Sequence, residues 1–296
     1  MKYQIDMVDI EKLVVDGSNV REQQWDQDPE FITDVKTNEI MNPLLVRPLD
    51  NNKYGVVAGS RRFNAAIDAG LKQVPCRIEQ MDDLTAYARS IAENHYIKDV
   101  ETWMYAIQIG RMYAVVTPPV GVKCLTFDEK TAIICNKTGF GGTTVEDYLA
   151  ISTLPPEVLE LMKARDHRSK QVIEKLKQYN LPQTLVLDVH KAAYLARNLK
   201  GQSVDRIFES AVHAMSFSRD QAKELIDKVK KYDKQSPNDI ANAMKQVFAR
   251  MDTIRVILDL GVKKMVNDEA AKEHIEFDDL LILFIKEGLR HRGWTI

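Results

Sequence analysis

The residues best suited to chemistry in this chain are Gly59-Ser60-Arg61-Arg62, entered by Val56-Val57 and followed by Phe63-Asn64-Ala65-Ala66. A strand, a glycine turn and a helix are expected there. Gly59 lets the backbone turn tightly without a Cβ clash. The first amides of the helix then point outward, unpaired, at the positive end of the helix dipole. Arg61 and Arg62 add two full charges at the same place, so the turn suits an anion and above all a phosphate. The bland alternative is a turn whose arginines are solvated or salt-bridged. Farther along, Glu93-Asn94 offers a carboxylate for Mg²⁺ and an amide able to reach base, sugar or phosphate.

The segments around this turn are Asn38-Glu39-Ile40-Met41-Asn42-Pro43-Leu44-Leu45-Val46-Arg47-Pro48 upstream, then Gly70 to Ile78 with Val74-Pro75, then Ile91-Ala92-Glu93-Asn94-His95. In order and spacing they resemble the amino-terminal domain of ParB-type partition proteins, with its QPI-V-R, GERRxRA, V-P and ENxxR boxes. The resemblance implies an α+β ParB/sulfiredoxin-like fold, a pocket for CTP with Mg²⁺, and a protein that closes around double-stranded DNA as a homodimeric clamp. Carried over by position, the pocket is Asn42, Pro43, Gly59, Ser60, Arg61, Arg62, Glu93 and Asn94, with Glu93 as the metal ligand. Two residues depart from the family pattern. Ser60 stands where the family has an acid before the paired arginines. Ile97, with Lys98 beside it, stands where the family has the last arginine. Loss of that arginine weakens phosphate binding by roughly 1.5–3 kcal/mol if it made a charge-assisted bond. The departures leave CTP hydrolysis open, and no catalytic residue is assigned. Ser60 also occupies the place of the sulfiredoxin cysteine, and a serine cannot do that sulfur chemistry. A small-molecule kinase on the same fold, with Glu93 as base, is the alternative from another class.

Beyond residue 100 the strand signals fade and helical ones follow one another. Thr126 and Glu129 form a capping-box pattern, and a helix from there ends near Asn136 to Gly139. Another begins at Thr143-Thr144-Val145 after Gly141-Gly142, and Leu154-Pro155-Pro156 opens a third. The resemblance makes the first two a helix-turn-helix, whose second helix meets bases in the major groove with its first residues, here Thr143 and Thr144. Glu146 and Asp147 on that helix are awkward beside phosphates and are expected to face solvent. Between Lys163 and Lys200 nine lysines and arginines meet three acids. The densest group, Lys163, Arg165, Arg168, Lys170, Lys175 and Lys177, is the expected phosphate-binding surface.

The elements that must position these residues are read as three domains: an α+β domain over 1–100, a helical helix-turn-helix domain over 101–201, and a helical domain over 202–296 that is a candidate for dimerisation. In the first, strands are expected at Leu44–Val46, Tyr54–Val57 and Val74–Ile78. Helices are expected at Phe63–Ala69 and from Asp82 towards Asn94. In the last, Ile240, Met244, Val247, Met251, Ile254 and Leu258 mark one face of a helix that Gly261 ends, and another helix runs from about Phe277 to Arg292. A chain of 296 residues supports two or three cores, and a net charge of −2 confines any DNA-binding surface to a local patch. Cys76, Cys124 and Cys135 have no metal-ligand spacing and suit a reducing cytoplasm, with buried structural roles expected. No apolar run is long enough to span a membrane. With the first strand expected near residue 1, a ParA-type ATPase is not an expected partner. A ParB-derived transcription or nucleoid regulator is the alternative within the DNA-binding class.

Overall fold

The computed structural model describes residues 4–21, 28–94, 100–179, 181–182, 184–250, 260–273, 280–281, 283–285 and 287. The chain divides into two compact units, Met1–Met244 and Lys245–Ile296.

The first unit begins with a five-stranded mixed sheet. Its strands are β1 (Gln4–Asp9), β2 (Leu13–Val15), β3 (Leu44–Pro48), β4 (Tyr54–Ala58) and β5 (Gln73–Ile78), in the spatial order β1-β5-β3-β4-β2. β1 pairs antiparallel with β5, β5 parallel with β3, β3 antiparallel with β4 and β4 parallel with β2. Three helices belong to this layer: α1 (Pro29–Asn38), α2 (Ser60–Asp68) and α3 (Asp83–Asn94). Leu44, Val46, Val56, Val74, Cys76, Ala65 and Ala66 are fully buried between sheet and helices. Burial pushes the Cys76 thiol up to about 12, so it packs as a small apolar group. Against the expectation of buried thiols, Cys124 is exposed, because the segment before residue 127 lies at the surface, and Cys135 is half-buried.

Every strand and helix expected after residue 40 in this region is present, with no end moved by more than three residues. The α2 helix starts at Ser60 rather than Phe63, which places both arginines inside its first turn. Helix α1 is not foreseen, although Asp28 before Pro29 is a start signal: the Asp28 side chain accepts from the Phe31 amide.

The helical layer continues with α4 (Thr102–Val115), α5 (Phe127–Thr138), α6 (Gly142–Ile151), α7 (Pro156–Leu159), α8 (Lys170–Lys177), α9 (Val189–Asn198), α10 (Val204–Ser216), α11 (Arg219–Lys231) and α12 (Pro237–Arg250). The capping box is formed: Thr126 Oγ1 accepts from the Glu129 amide, and Glu129 accepts from the Thr126 amide at 2.8 Å. Gly139 ends α5 in the left-handed conformation, at φ 79°. Tyr105, Phe140 and Tyr148 pack ring against ring and tie α4 and α6 to the turn between α5 and α6. α4 passes so close to the end of α6 that a Cβ on Gly110 would sit 2.7 Å from Ser152 Cβ.

Ile240 and Met244 of α12 are buried and Val247 is exposed; Met251, Ile254 and Leu258 lie outside the described residues. Gly261 does not end this helix. It is the second residue of α13 (Leu260–Glu273), a helix of the second unit, where no positive φ is demanded of it. In that unit Val266, Ala270 and Leu280 form a small core against Leu281. Of the expected final helix, residues 280–281, 283–285 and 287 are helical; Phe277–Asp279 and 288–292 lie outside the described residues.

Gly110→Ala is expected to lower stability by about 1–3 kcal/mol, measured by urea denaturation, because the packing of α4 on α6 must open to admit a methyl group.

Candidate functional site

Gly59 takes φ 97°, a conformation that glycine reaches without strain. A Cβ there would also meet Leu44 Cδ2 at 2.9 Å and the Arg62 guanidinium at 3.1 Å. The turn therefore delivers α2 with its amino terminus facing a cavity of about 240 Å³. Gly59, Ser60, Arg61 and Arg62 form one wall, Glu93 and Asn94 from the end of α3 another, and Arg21 and Phe31 the remainder. Six of the eight residues expected at the pocket are thus brought together. Asn42 and Pro43 do not line it. Their carbonyls accept from Arg62 Nη1 at 2.7 and 3.0 Å, so they hold an arginine that lines the cavity. Arg62 Nη2 also donates to Glu93 at 3.0 Å. Arg61 Nη2 donates to Asp28 at 2.8 Å, with its guanidinium 4.9 Å from the Phe31 ring centre.

Arg21 is the member that sequence reasoning missed. Its Nε donates to Asn94 Oδ1 at 2.9 Å, and Asn94 is itself fixed by donating to the Ser90 carbonyl. Ile97 and Lys98, where the family arginine is missing, lie outside the described residues. The cavity nevertheless holds three arginines, one of them drawn from the far side through Asn94. No local signal marks Arg21, because its partner stands 73 positions away.

The segment that carries Arg21 is anchored by buried polar groups. Asp16 is almost wholly buried; its carboxylate accepts from Arg47 Nε at 2.7 Å, Arg47 Nη2 at 3.1 Å and the Ser18 amide at 2.9 Å. Burial alone would raise its pKa, but the bonds from Arg47 and Ser18 outweigh that and hold it below the ordinary carboxylate value. Asn19 Nδ2 donates to the Val56 carbonyl, and Asn19 Oδ1 accepts from the Arg21 amide and from the Ser60 hydroxyl at 3.4 Å. Gln108 of α4 donates to the Asn19 carbonyl, and Tyr105 of α4 donates to the Asn94 carbonyl at 2.9 Å. The pocket floor and α4 are hydrogen-bonded to the same two residues.

A Mg²⁺ partner fits less directly. Among the described residues no group of three His, Cys, Asp or Glu side chains could hold a metal, and Glu93 is paired with Arg62. A cation here needs oxygens from a ligand in addition to Glu93.

The basic residues expected to meet DNA are scattered. Thr143 and Thr144 do begin α6, with Thr143 exposed. Arg168 is buried and donates to the carbonyls of Leu161, Lys163 and Leu185, so it serves the fold and cannot reach a phosphate. Lys175 bridges Glu157 and Asp205 and covers the Phe208 ring. Lys163 lies over Trp103, and Lys177 pairs with Glu174. Arg165 and Lys170 are exposed. Periodicity could not separate these roles, since each depends on which distant residue packs beneath it. Asp147 is buried and paired with Arg197 at 2.6 Å, against the expectation of a solvent-facing acid, because α9 packs on α6 there.

A second cavity, of about 320 Å³, opens at the start of α6. Thr143 lines it together with His190 and Lys191 from the first turn of α9, and Arg219 and Lys223 from the first turns of α11. His190, Arg219 and Lys223 are exposed there. Positive charge therefore gathers beside Thr143 from two helices distant in sequence.

Residues 1–95 match the family model of the ParB N-terminal domain. That segment is a ParB N-terminal domain, and it holds every residue that lines the first cavity. A probable chromosome-partitioning protein ParB of Vibrio cholerae is 31% identical over 136 residues, 46% of this chain and 43% of that protein. The Spo0J chromosome-partitioning protein of Thermus thermophilus is 31% identical over 134 residues, 45% of each chain. A nucleoid occlusion protein of Bacillus mycoides is 23% identical over 259 residues, 87% of this chain and 77% of that one. The chain thus spans less than half the length of the two partitioning proteins it matches.

Asp16→Asn is expected to cost about 1.5–3 kcal/mol at pH 7, read by urea denaturation, because it removes the buried one of the two carboxylates on Arg47 and leaves that guanidinium with the exposed Asp83 alone. Since the folded-state pKa of Asp16 is lowered, the contribution stands above the ordinary carboxylate value and is lost as pH falls through the folded one. The gap between wild type and variant should therefore close in acid.

Proposed function

We propose that this chain is a DNA-binding protein of the ParB type whose amino-terminal pocket takes a nucleoside triphosphate. CTP is the nucleotide the family resemblance implies. The observation that carries the reading is the convergence of Arg21, Arg61 and Arg62 on the cavity at the left-handed Gly59 turn. Several negative charges at neutral pH need such a set of guanidinium groups and outward amides. Asn94 orients Arg21 and is in place to meet base or sugar. Glu93 is the carboxylate that would share a Mg²⁺ with the phosphates, giving up Arg62 to do so. The cavity's only carboxylate among the described lining residues is that Glu93, and Ser60 supplies no acid. The reading therefore assigns binding and gating to the pocket and names no hydrolytic base.

DNA is assigned to the surface around the start of α6. Thr143 and Thr144 meet base edges, α5 and α6 act as the helix-turn-helix, and His190, Arg219 and Lys223 take backbone phosphates. Nucleotide would stabilise a closed dimer around DNA, which requires tighter binding to the closed form than to the open one. The assembly is assigned to the cytoplasm, on chromosome or plasmid DNA. Similarity to the nucleoid occlusion protein over 87% of this chain favours one further reading, a chromosome-bound regulator using the same two sites outside partition.

Calorimetry with CTP, ATP and GTP in Mg²⁺, with and without DNA, tests the first assignment. CTP is expected to bind, and Arg61→Ala or Arg21→Ala to weaken it at least tenfold, as loss of a charge-assisted bond of about 1.5–3 kcal/mol requires. Preference for ATP independent of DNA would point to the kinase alternative instead. For DNA, Arg219→Ala with Lys223→Ala is expected to flatten the salt dependence of binding to a mixed-sequence duplex by roughly 0.9 for each phosphate the variant no longer neutralises. Lys175→Ala is expected to leave that slope unchanged.

A further inference from the structure

The two arginines of the turn are held in different ways. Arg62 is fastened by the Asn42 and Pro43 carbonyls as well as by Glu93. Arg61 makes its ion pair with Asp28, at 2.8 Å, with side chains 45% and 37% exposed. Asp28 stands outside the cavity lining while Arg61 and Phe31 belong to it. Its carboxylate is thus an anion already seated on one of the three guanidinium groups that face the cavity.

We propose that Asp28 is an internal stand-in for the anionic ligand, occupying Arg61 until a phosphate takes the guanidinium from it. This rests on the reading of the cavity as a triphosphate pocket and assigns it a residue that sets its affinity. An ion pair this exposed is weakly held, and a phosphate oxygen is a stronger partner for a guanidinium. The exchange also leaves α1 intact. Asp28 Oδ1 caps the helix by accepting from the Phe31 amide at 3.1 Å, whereas Oδ2 is the atom on Arg61. Phe31 lies beneath the guanidinium and keeps it at the cavity wall once Oδ2 lets go. Helix α1 therefore gains or loses a tether to α2 according to whether the pocket is filled.

Asp28→Asn removes the competing charge and keeps a good amino-terminal cap. In calorimetry at low ionic strength it is expected to bind CTP and inorganic triphosphate about twofold to fivefold more tightly than wild type, the range of a weak exposed pair. Cytidine, which has no phosphate, should show no gain. The gain should also vanish when Asp28→Asn is combined with Arg61→Ala, and the far-UV circular dichroism of the whole chain should be unchanged in Asp28→Asn. CTP binding that is unchanged or weaker in Asp28→Asn would overturn the proposal. So would an equal gain in the Arg61→Ala background, which would make the effect a general one of net charge. Failure of both wild type and Asp28→Asn to bind CTP would overturn the pocket assignment itself, and this inference with it.

Discussion

A carboxylate with almost no exposure must be paired or it unfolds the region around it, and Asp16 is such a group. Its pairing with Arg47 fixes the loop after β2 against β3, and Arg47 reaches on to Asp83 at the start of α3. Three residues later Asn19 spans the Val56 carbonyl, the Ser60 hydroxyl and Gln108 of α4. Arg21 then projects into the cavity. The position of the third arginine, and so the charge of the pocket, depends on that buried ion pair.

The same network gives a physical route from the first cavity towards α6, which lines the second. Asn94 holds Arg21 through its side chain and accepts from Tyr105 through its backbone carbonyl. Tyr105 in turn packs on Phe140 and Tyr148, at the turn before α6 and within α6. A ligand that shifts Arg21 or Asn94 therefore acts on residues that touch α4 directly, and α4 packs on α6. Buried hydrogen-bonded networks of this kind have few alternative arrangements, so a change at one end is passed on or resisted, seldom absorbed.

Much of this was legible in the sequence. The strand, turn and helix around Gly59 follow from β-branched residues, a glycine and the helical run behind it. The Thr126–Glu129 cap and the breaks at Gly139 and Pro156 are local signals of the same kind. The roles of individual cations were not legible. Arg168 and Lys175 look like phosphate ligands in a basic stretch, yet one is buried among carbonyls and the other lies between two carboxylates. Arg21, Arg219 and Lys223 look ordinary and come to line the two cavities only when partners far off in sequence are folded against them. Charge composition is a property of a segment, whereas the fate of a charge is decided by its tertiary neighbours.

The most direct test of this account is amide hydrogen exchange on the full chain with and without saturating CTP and Mg²⁺. The account predicts slower exchange of the Ser18, Val20 and Arg21 amides and of the α4 amides around Tyr105 and Gln108 when CTP is bound. Slowing confined to the Gly59–Arg62 turn, with the Asp16–Arg21 segment and α4 unchanged, would contradict it.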